Sequence, residues 1–187
     1  MSLRQCVMVL FSLVMTSVVS ACAITTAGSP HKECPTTFDP SKSPEPLGSS
    51  DRFHELAFKA STTPGYTTTL GRLTADAGWN NAGWDRVIQE SDGMTDEYLN
   101  EVAQAPGMCW ATGEAPDPFN HELGSGYYIF LHGPTPVQAV PWSPGGELLR
   151  IVGEHGATQN TRFEATPADN PDMLMEISDE ATTGAPN

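Results

Sequence analysis

The spacing of apolar residues between positions 49 and 107 predicts three amphipathic helices. Residues that can cap a helix precede each of them, and Pro or Gly follows each. The apolar faces expected to point inward are Phe53, Leu56, Ala57 and Ala60 in the first helix, Leu70, Leu73 and Ala77 in the second, and Tyr98, Leu99 and Val102 in the third. The predicted starts are Ser49 to Asp51, Thr69 and Thr95, and the predicted ends are Pro64-Gly65, Gly78 and Pro106-Gly107.

Apolar runs rich in β-branched and aromatic residues predict strands in much of the remaining chain, with Pro and Gly turns between them. The predicted strands are residues 84–89, 108–111, 127–131, 137–142, 148–152 and 161–165, with a late strand at 173–177. Because helices come first and a run of strands follows, we predict an α+β fold: N-terminal helices followed by a mainly antiparallel β-sheet, in a single small domain.

Changes in composition along the chain predict where this domain begins and ends. Residues 22–50 are rich in Pro, Ser and Thr and contain few apolar side chains, so we expect a disordered tether. Residues 51–164 have the size of one ordinary domain and form the predicted globular body. Residues 165–187 form a predicted polar tail, which the late strand at 173–177 interrupts.

The start of the chain has the three-part layout of a secretory signal peptide. Arg4 precedes an uncharged apolar run from Val7 to Val19, and small residues follow it. The run has about 13 residues, whereas a helix that spans a bilayer needs about 20, so it predicts export and not a transmembrane span. We assign residues 1–21 to this signal peptide.

Val19-Ser20-Ala21-Cys22 resembles the lipobox of bacterial lipoproteins, with Val19 where that motif usually has Leu. The resemblance implies that Cys22 is diacylated and anchors the protein to the extracytoplasmic face of the cell membrane. Two acyl chains give stable anchoring, whereas one does not. The alternative is cleavage after Ala23, which would release a secreted protein. Gly83–Val87, with the short helix and Tyr-rich hairpin that follow, also resembles uncharacterised small bacterial lipoproteins, which implies no chemistry.

Processing of the N-terminus leaves two of the four cysteines in an oxidising compartment. Cys6 lies in the signal peptide, and Cys22 is either acylated or removed. Cys34 and Cys109 then remain, which predicts one disulfide that closes a loop of about 75 residues. The alternative is that Cys109, which lies in an apolar Met-Cys-Trp run, is a buried free thiol.

The formal net charge of the chain is -14 at pH 7. Such an acidic surface repels phosphate backbones and anionic lipid headgroups. The charge therefore argues against nucleic acid as a partner and against membrane docking through a basic patch. Ordinary solvation of an exported protein is the simplest explanation of the acidity.

Catalytic and metal-binding motifs fail at positions that their chemistry requires. The run from Asn120 begins like the helix of a zinc protease, but Ser125 stands where the second His is needed. Gly124-Ser125-Gly126 lacks the outer glycines of a nucleophile elbow. We therefore predict no catalytic residue, metal or cofactor. The alternative is a cell-envelope hydrolase. A deep pocket lined by two or more of five residues would favour this alternative: His121, His132, His155, Asp85 and Glu122.

Tryptophans are the best lead to a function, because their faces stack on sugars and on protein partners. Trp79 and Trp84 flank a polar loop, which predicts one buried ring and one ring available to a ligand. Trp84 heads an apolar strand and is expected in the core, whereas Trp79 follows a helix end and is the candidate binding surface. Burial of both is the alternative. The sequence thus predicts a non-enzymatic interaction or binding module whose partner is a cell-envelope protein or glycan.

Overall fold

The computed structural model describes residues 34–91, 93–111, 125–142, 147–166 and 173–177. These residues contain three α-helices: α1 (Ser50–Ser61), α2 (Leu70–Asp76) and α3 (Asp96–Ala103). They also contain ten strands: β1 (Thr36–Phe38), β2 (Thr67–Thr69), β3 (Arg86–Ser91), β4 (Met108–Trp110), β5 (Gly126–His132), β6 (Thr135–Trp142), β7 (Leu149–Arg150), β8 (Ala157–Thr158), β9 (Arg162–Ala165) and β10 (Leu174–Ile177). The predicted signal peptide and Cys22 lie outside the described residues.

All three helices begin at predicted capping residues, because each cap satisfies a backbone N–H that the first turn leaves unpaired. The hydroxyl oxygens of Ser49, Thr69 and Thr95 accept hydrogen bonds from the N–H groups of Arg52, Arg72 and Tyr98, respectively. None of the helices in the described part of the chain is long and apolar enough to cross a membrane.

The strands form three sheets within the described residues. The central sheet has the order β6-β5-β3-β8, and its ladders are antiparallel. The second sheet has the order β2-β9-β10-β7, in which β7 and β10 are parallel and the other pairs antiparallel. β1 and β4 form a separate parallel pair.

The mixture of helices with antiparallel-rich sheets confirms the predicted α+β class. The predicted succession of helices and then strands is not observed, because β1 precedes α1 and β2 lies between α1 and α2. The late strand is present as β10. Three strands escaped prediction, β1, β2 and β8, which have only two or three residues each.

Apolar side chains cover both faces of the central sheet. On one face, Tyr128 and Phe130 belong to a cluster that includes residues of α1, α2 and the second sheet. On the other face, Ile88 and Ile129 pack with α3 and with Trp110 of β4. The central sheet is therefore the scaffold of the fold, and its accessible surface lies at its edges.

The folded body begins well before residue 51, so the predicted start of the domain is wrong. Leu47, assigned to the tether, is only 4% exposed. The buried side chain of Gln138 on β6 accepts a hydrogen bond from the Leu47 N–H at 3.0 Å and donates one to the Gly48 carbonyl at 2.9 Å. Composition does not reveal this contact. The polar segment around Leu47 is ordered by Gln138, which lies 91 residues further along the sequence.

Candidate binding groove

Trp79 lies in the core, so its prediction as an exposed binding surface is wrong. It is 6% exposed, and its ring centroid lies 5.2 Å from that of Phe53 and 4.8 Å from that of Phe130. Its indole Nε1 donates a hydrogen bond to the Ser49 carbonyl at 3.0 Å. Gly48 lies so close to the indole that a Cβ would collide with it. The segment that covers Trp79 is part of the predicted tether, which explains the error.

Trp84 is buried as predicted, at 1% exposure. Its ring contacts Phe130 edge to face, with the centroids 5.1 Å apart. Trp110 and Trp142 are also buried. The tryptophan rings therefore serve mainly the core.

Cys34 and Cys109 form the predicted disulfide, with their Cα atoms 5.7 Å apart. In the parallel ladder between β1 and β4, Thr37 pairs with Cys109. The disulfide therefore attaches the first described segment to β4, and Cys109 is not a free thiol.

The polar residues considered for catalysis are only partly brought together. His132 Nδ1 lies 3.9 Å from Asp85 Oδ2, and both side chains are more than half exposed. The same Asp85 oxygen accepts the Gly133 N–H at 2.7 Å, and His155 lies in an exposed turn before β8. Residues 121–122 lie outside the described part of the chain. Among the residues that are described, no three His, Cys, Asp or Glu side chains are placed to hold a metal ion.

A groove of about 320 Å³ lies beside β3, and we name it the β3-edge groove. Its lining includes Gln89 and Ser91 of β3, Met94 and Tyr98 before and within α3, and Arg150 and Ile151 at and after β7. We refer to the second pair as its α3 side and to the third pair as its β7 side.

The groove exists because β8 covers only the beginning of the β3 edge. The two residues of β8 pair with Arg86 and Val87. The chain before β8 turns away at Gly156, which has a φ of 85° and whose N–H donates to the Gly153 carbonyl at 2.9 Å. From residue 88 to residue 91, β5 is therefore the only strand beside β3 within the described residues.

The backbone groups of Gln89 point away from β5, as its neighbours show. In an antiparallel ladder, the backbone groups of successive residues point alternately to the two sides of a strand. A Cβ on Gly156 would collide with the Val87 carbonyl, so this carbonyl points toward β8. A Cβ on Gly126 would collide with the Glu90 carbonyl, so that one points toward β5. The backbone N–H and C=O of Gln89 therefore have the same orientation as those of Val87, and they face the groove.

Three outward backbone groups of β3 lack a hydrogen bond to any described residue. They are the N–H and C=O of Gln89 and the N–H of Ser91, whereas the Ser91 carbonyl accepts the Met94 N–H at 3.2 Å. Unpaired groups along a strand edge are a template for pairing with another strand.

Hydrogen bonds to the side chains of Gln89 and Glu176 order the β7 side of the groove. Gln89 Nε2 donates to Glu147 Oε1 at 2.8 Å, and Gln89 Oε1 accepts the Ile151 N–H at 3.2 Å. Glu176 Oε2 accepts the N–H groups of residues 152–153 at 2.8 and 3.1 Å. Because the β7 side is already ordered, the entropic cost of binding a ligand there is lower.

The two sides of the groove differ in chemistry. On the α3 side, Tyr98 is 50% exposed and lies beside Met94 and Val102. On the β7 side, the exposed Arg150 forms no ion pair with any described residue. The groove can therefore offer main-chain hydrogen bonds, apolar contact and one positive charge to a ligand.

Sequence reasoning missed all of these groove residues. The available signal was a change along one face of β3, where apolar Val87 is followed by the polar residues Gln89 and Ser91. An alternating strand indicates which residues share a face, but it does not show which edge lacks a neighbour.

Comparisons of the chain with models of protein families, with curated proteins and with solved structures gave no match.

Proposed function

We propose that the protein is a non-enzymatic binding module, anchored through Cys22 to the extracytoplasmic face of the cell membrane, that recognises a cell-envelope partner through the β3-edge groove. The observation that carries the binding role is the meeting of unpaired strand-edge groups, an exposed aromatic ring and an accessible cation in one groove. A concave site with a few convergent polar groups is the usual form of a ligand site.

The anchoring part of the proposal is supported by the signal peptide and by the lipobox resemblance. Residues 23–33, between Cys22 and the crosslinked Cys34, number 11. A segment of that length spans at most about 35 Å at polyproline extension. The groove would consequently work close to the membrane surface.

Acylation is tested by replacing Cys22 with Ala. We expect this change to abolish acylation, because the thiol is the attachment point, whereas Cys6→Ala inside the signal peptide should leave it unchanged. Mass spectrometry of the membrane fraction measures the outcome. A wild-type mature mass without two acyl chains, or a mature chain that starts at Ile24, would show that the protein is secreted and not anchored.

The binding role is tested by capture of partners from the protein's own envelope. We expect Tyr98→Ala to reduce recovery of the specific partner by about tenfold or more, because exposed aromatic residues often dominate binding energy. Phe58→Ala is the matched control, since Phe58 on α1 is 53% exposed and lies outside the groove. Equal capture by both variants and the wild type would contradict recognition through the groove.

A further inference from the structure

We infer that the ligand of the β3-edge groove is an extended protein segment, which adds antiparallel to β3 as a strand and carries alternating apolar and acidic side chains. This inference rests on the proposed function and names its ligand class. It follows from the juxtaposition of the unpaired β3 edge, the apolar α3 side and the positively charged β7 side.

The unpaired groups have the order and spacing of a strand partner. Gln89 presents a donor and an acceptor, and Ser91 presents a second donor two residues further along. Alternate residues of a strand are about 6.8 Å apart, which is also the repeat of an extended peptide. A peptide residue opposite Gln89 would form two hydrogen bonds, and the residue two positions away would accept one from Ser91.

Pairing with β3 sets which side chains of the peptide face which side of the groove. Residues directly opposite each other in a ladder share a face of the sheet. Gln89 reaches the β7 side, where it bonds to Glu147 and Ile151. The peptide residue opposite Gln89 therefore faces the β7 side, and its two neighbours face Met94 and Tyr98. This geometry requires apolar residues at every second position.

The charge of the remaining positions follows from the ionic groups of the β7 side. Glu147 and Glu176 already accept hydrogen bonds from groove residues, whereas the Arg150 guanidinium has no carboxylate partner among the described residues. An acidic side chain on the peptide would complement Arg150. The net charge of -14 opposes long-range attraction of an acidic peptide, so Arg150 acts on selectivity at contact and not on the encounter rate.

The flanked shape of the edge favours a single chain over other occupants. Residues of α3 and of the β7 side line both flanks of β3. We expect these flanks to admit one extended chain and to obstruct the approach of a sheet from a second folded copy. Main-chain donors and acceptors with a two-residue repeat match a peptide backbone better than the hydroxyl groups of a glycan.

The test begins with selection from a phage-displayed library of random peptides of about ten residues, long enough to cover a strand edge. The mature full-length protein, with its disulfide intact, is the bait. We expect the enriched peptides to share the alternating apolar and acidic pattern. Their synthetic forms are then measured by fluorescence anisotropy against groove variants.

The groove variants each remove one element of recognition. Ser91→Pro removes an outward N–H that β3 does not use in its ladder, Tyr98→Ala removes the aromatic contact, and Arg150→Glu reverses the charge. We expect each to weaken peptide binding by about tenfold or more. The matched controls, Phe58→Ala and the exposed Arg162→Glu on β9, should change it by less than about twofold. Thermal unfolding establishes that every variant is folded.

An N-methyl scan of the peptide tests strand addition without altering the protein. Methylation removes one backbone donor at a time, so affinity should fall at the peptide residue opposite Gln89, whose N–H pairs with the Gln89 carbonyl, and not at its two neighbours, whose N–H groups point away from β3. Equal losses at adjacent positions, or no loss at any position, would overturn strand addition, even if Ser91→Pro failed to fold.

The remaining outcomes separate this inference from the proposed function. If no peptide is enriched, but envelope glycan fragments bind in a manner that requires Tyr98, the inference is overturned while the proposed function stands. A dimer that Ser91→Pro abolishes, again without peptide enrichment, would replace the peptide by a second copy of the chain. Equal capture of envelope partners by Tyr98→Ala, Phe58→Ala and wild type would overturn both.

Discussion

The phenol of Tyr128 joins the central sheet to the second sheet. It donates a hydrogen bond to the Leu149 carbonyl at 3.1 Å and accepts one from the Leu149 N–H at 2.9 Å. Tyr128 is fully buried, and this burial raises the pKa of its phenol well above the ordinary value. One side chain thus satisfies both backbone groups of a residue in β7.

Tyr128→Phe should destabilise the fold by about 1–3 kcal/mol, because it leaves the buried N–H and C=O of Leu149 unpaired. Tyr66→Phe is the control, since the Tyr66 hydroxyl forms no hydrogen bond with any described residue. Urea unfolding of both variants measures the difference. Equal effects of the two substitutions would show that the Tyr128 hydroxyl adds nothing to stability.

The same phenol predicts a dependence of stability on pH. The unfolded chain loses the Tyr128 proton near pH 10, whereas the folded protein, with its raised pKa, retains it. The stabilisation is therefore complete below about pH 10 and declines as the pH rises above that value. The difference in unfolding free energy between wild type and Tyr128→Phe should shrink over this range, and a constant difference would contradict it.

Trp79→Ala and Trp84→Ala should each cost about 3–5 kcal/mol, because both rings are buried against Phe130. Phe58→Ala should cost about 0.5 kcal/mol or less, since that ring is exposed. Thermal or denaturant unfolding measures all three. A small loss of unfolding free energy for Trp79→Ala would contradict the burial of the Trp79 ring in the core.

At the scale of elements, prediction succeeds where the determining contacts are local. The caps of α1, α2 and α3 bond to residues three positions away, so the sequence reveals them. β1, β2 and β8 are too short for a pattern and depend on partners far along the chain. The spacing in α3 also places Tyr98 inward, but it is half exposed because α3 packs through Leu99 and Ala103.

Gln104→Gly should stabilise the protein by about 1 kcal/mol, because Gln104 ends α3 in the left-handed region, with a φ of 51°. Ala77→Gly is the matched control at the end of α2, where φ is -74° and glycine should destabilise by up to about 1 kcal/mol. Melting temperatures test the opposite signs. Destabilisation by both changes would contradict the strain assigned to Gln104.

At the scale of the whole molecule, the disulfide could be predicted from the sequence, but the packing of the segment that follows Cys34 could not. The expected processing of Cys6 and Cys22 leaves Cys34 and Cys109 as the pair, and that expectation rests on local sequence patterns. The packing of residues 34–50 depends on Gln138 and on the cover over Trp79, which no local pattern reveals. The groove was missed for the same reason, because it depends on where β8 stops beside β3.

Replacing Cys34 and Cys109 together by Ser should lower stability by about 4 kcal/mol, because the unfolded chain loses a constraint on a long loop. Non-reducing peptide mapping of the wild type should show one linked pair, and denaturant unfolding measures the cost. Wild type unfolded in the presence of a reductant is the control, because it loses the same crosslink without a substitution. Two free thiols in the native protein would contradict the crosslink.

The disulfide also determines how the protein transmits mechanical force. Residues 35–108 lie inside the covalent loop, so tension applied to the two ends of the chain cannot straighten them. An extended residue spans about 3.5 Å, and the loop therefore withholds about 260 Å of contour length from stretching. β3 and α3 both lie within it. A pull on the N-terminal end of the chain reaches β4 through the sulfur bridge and leaves β3 and the α3 side of the groove unloaded, whereas the β7 side follows Cys109 and carries the load.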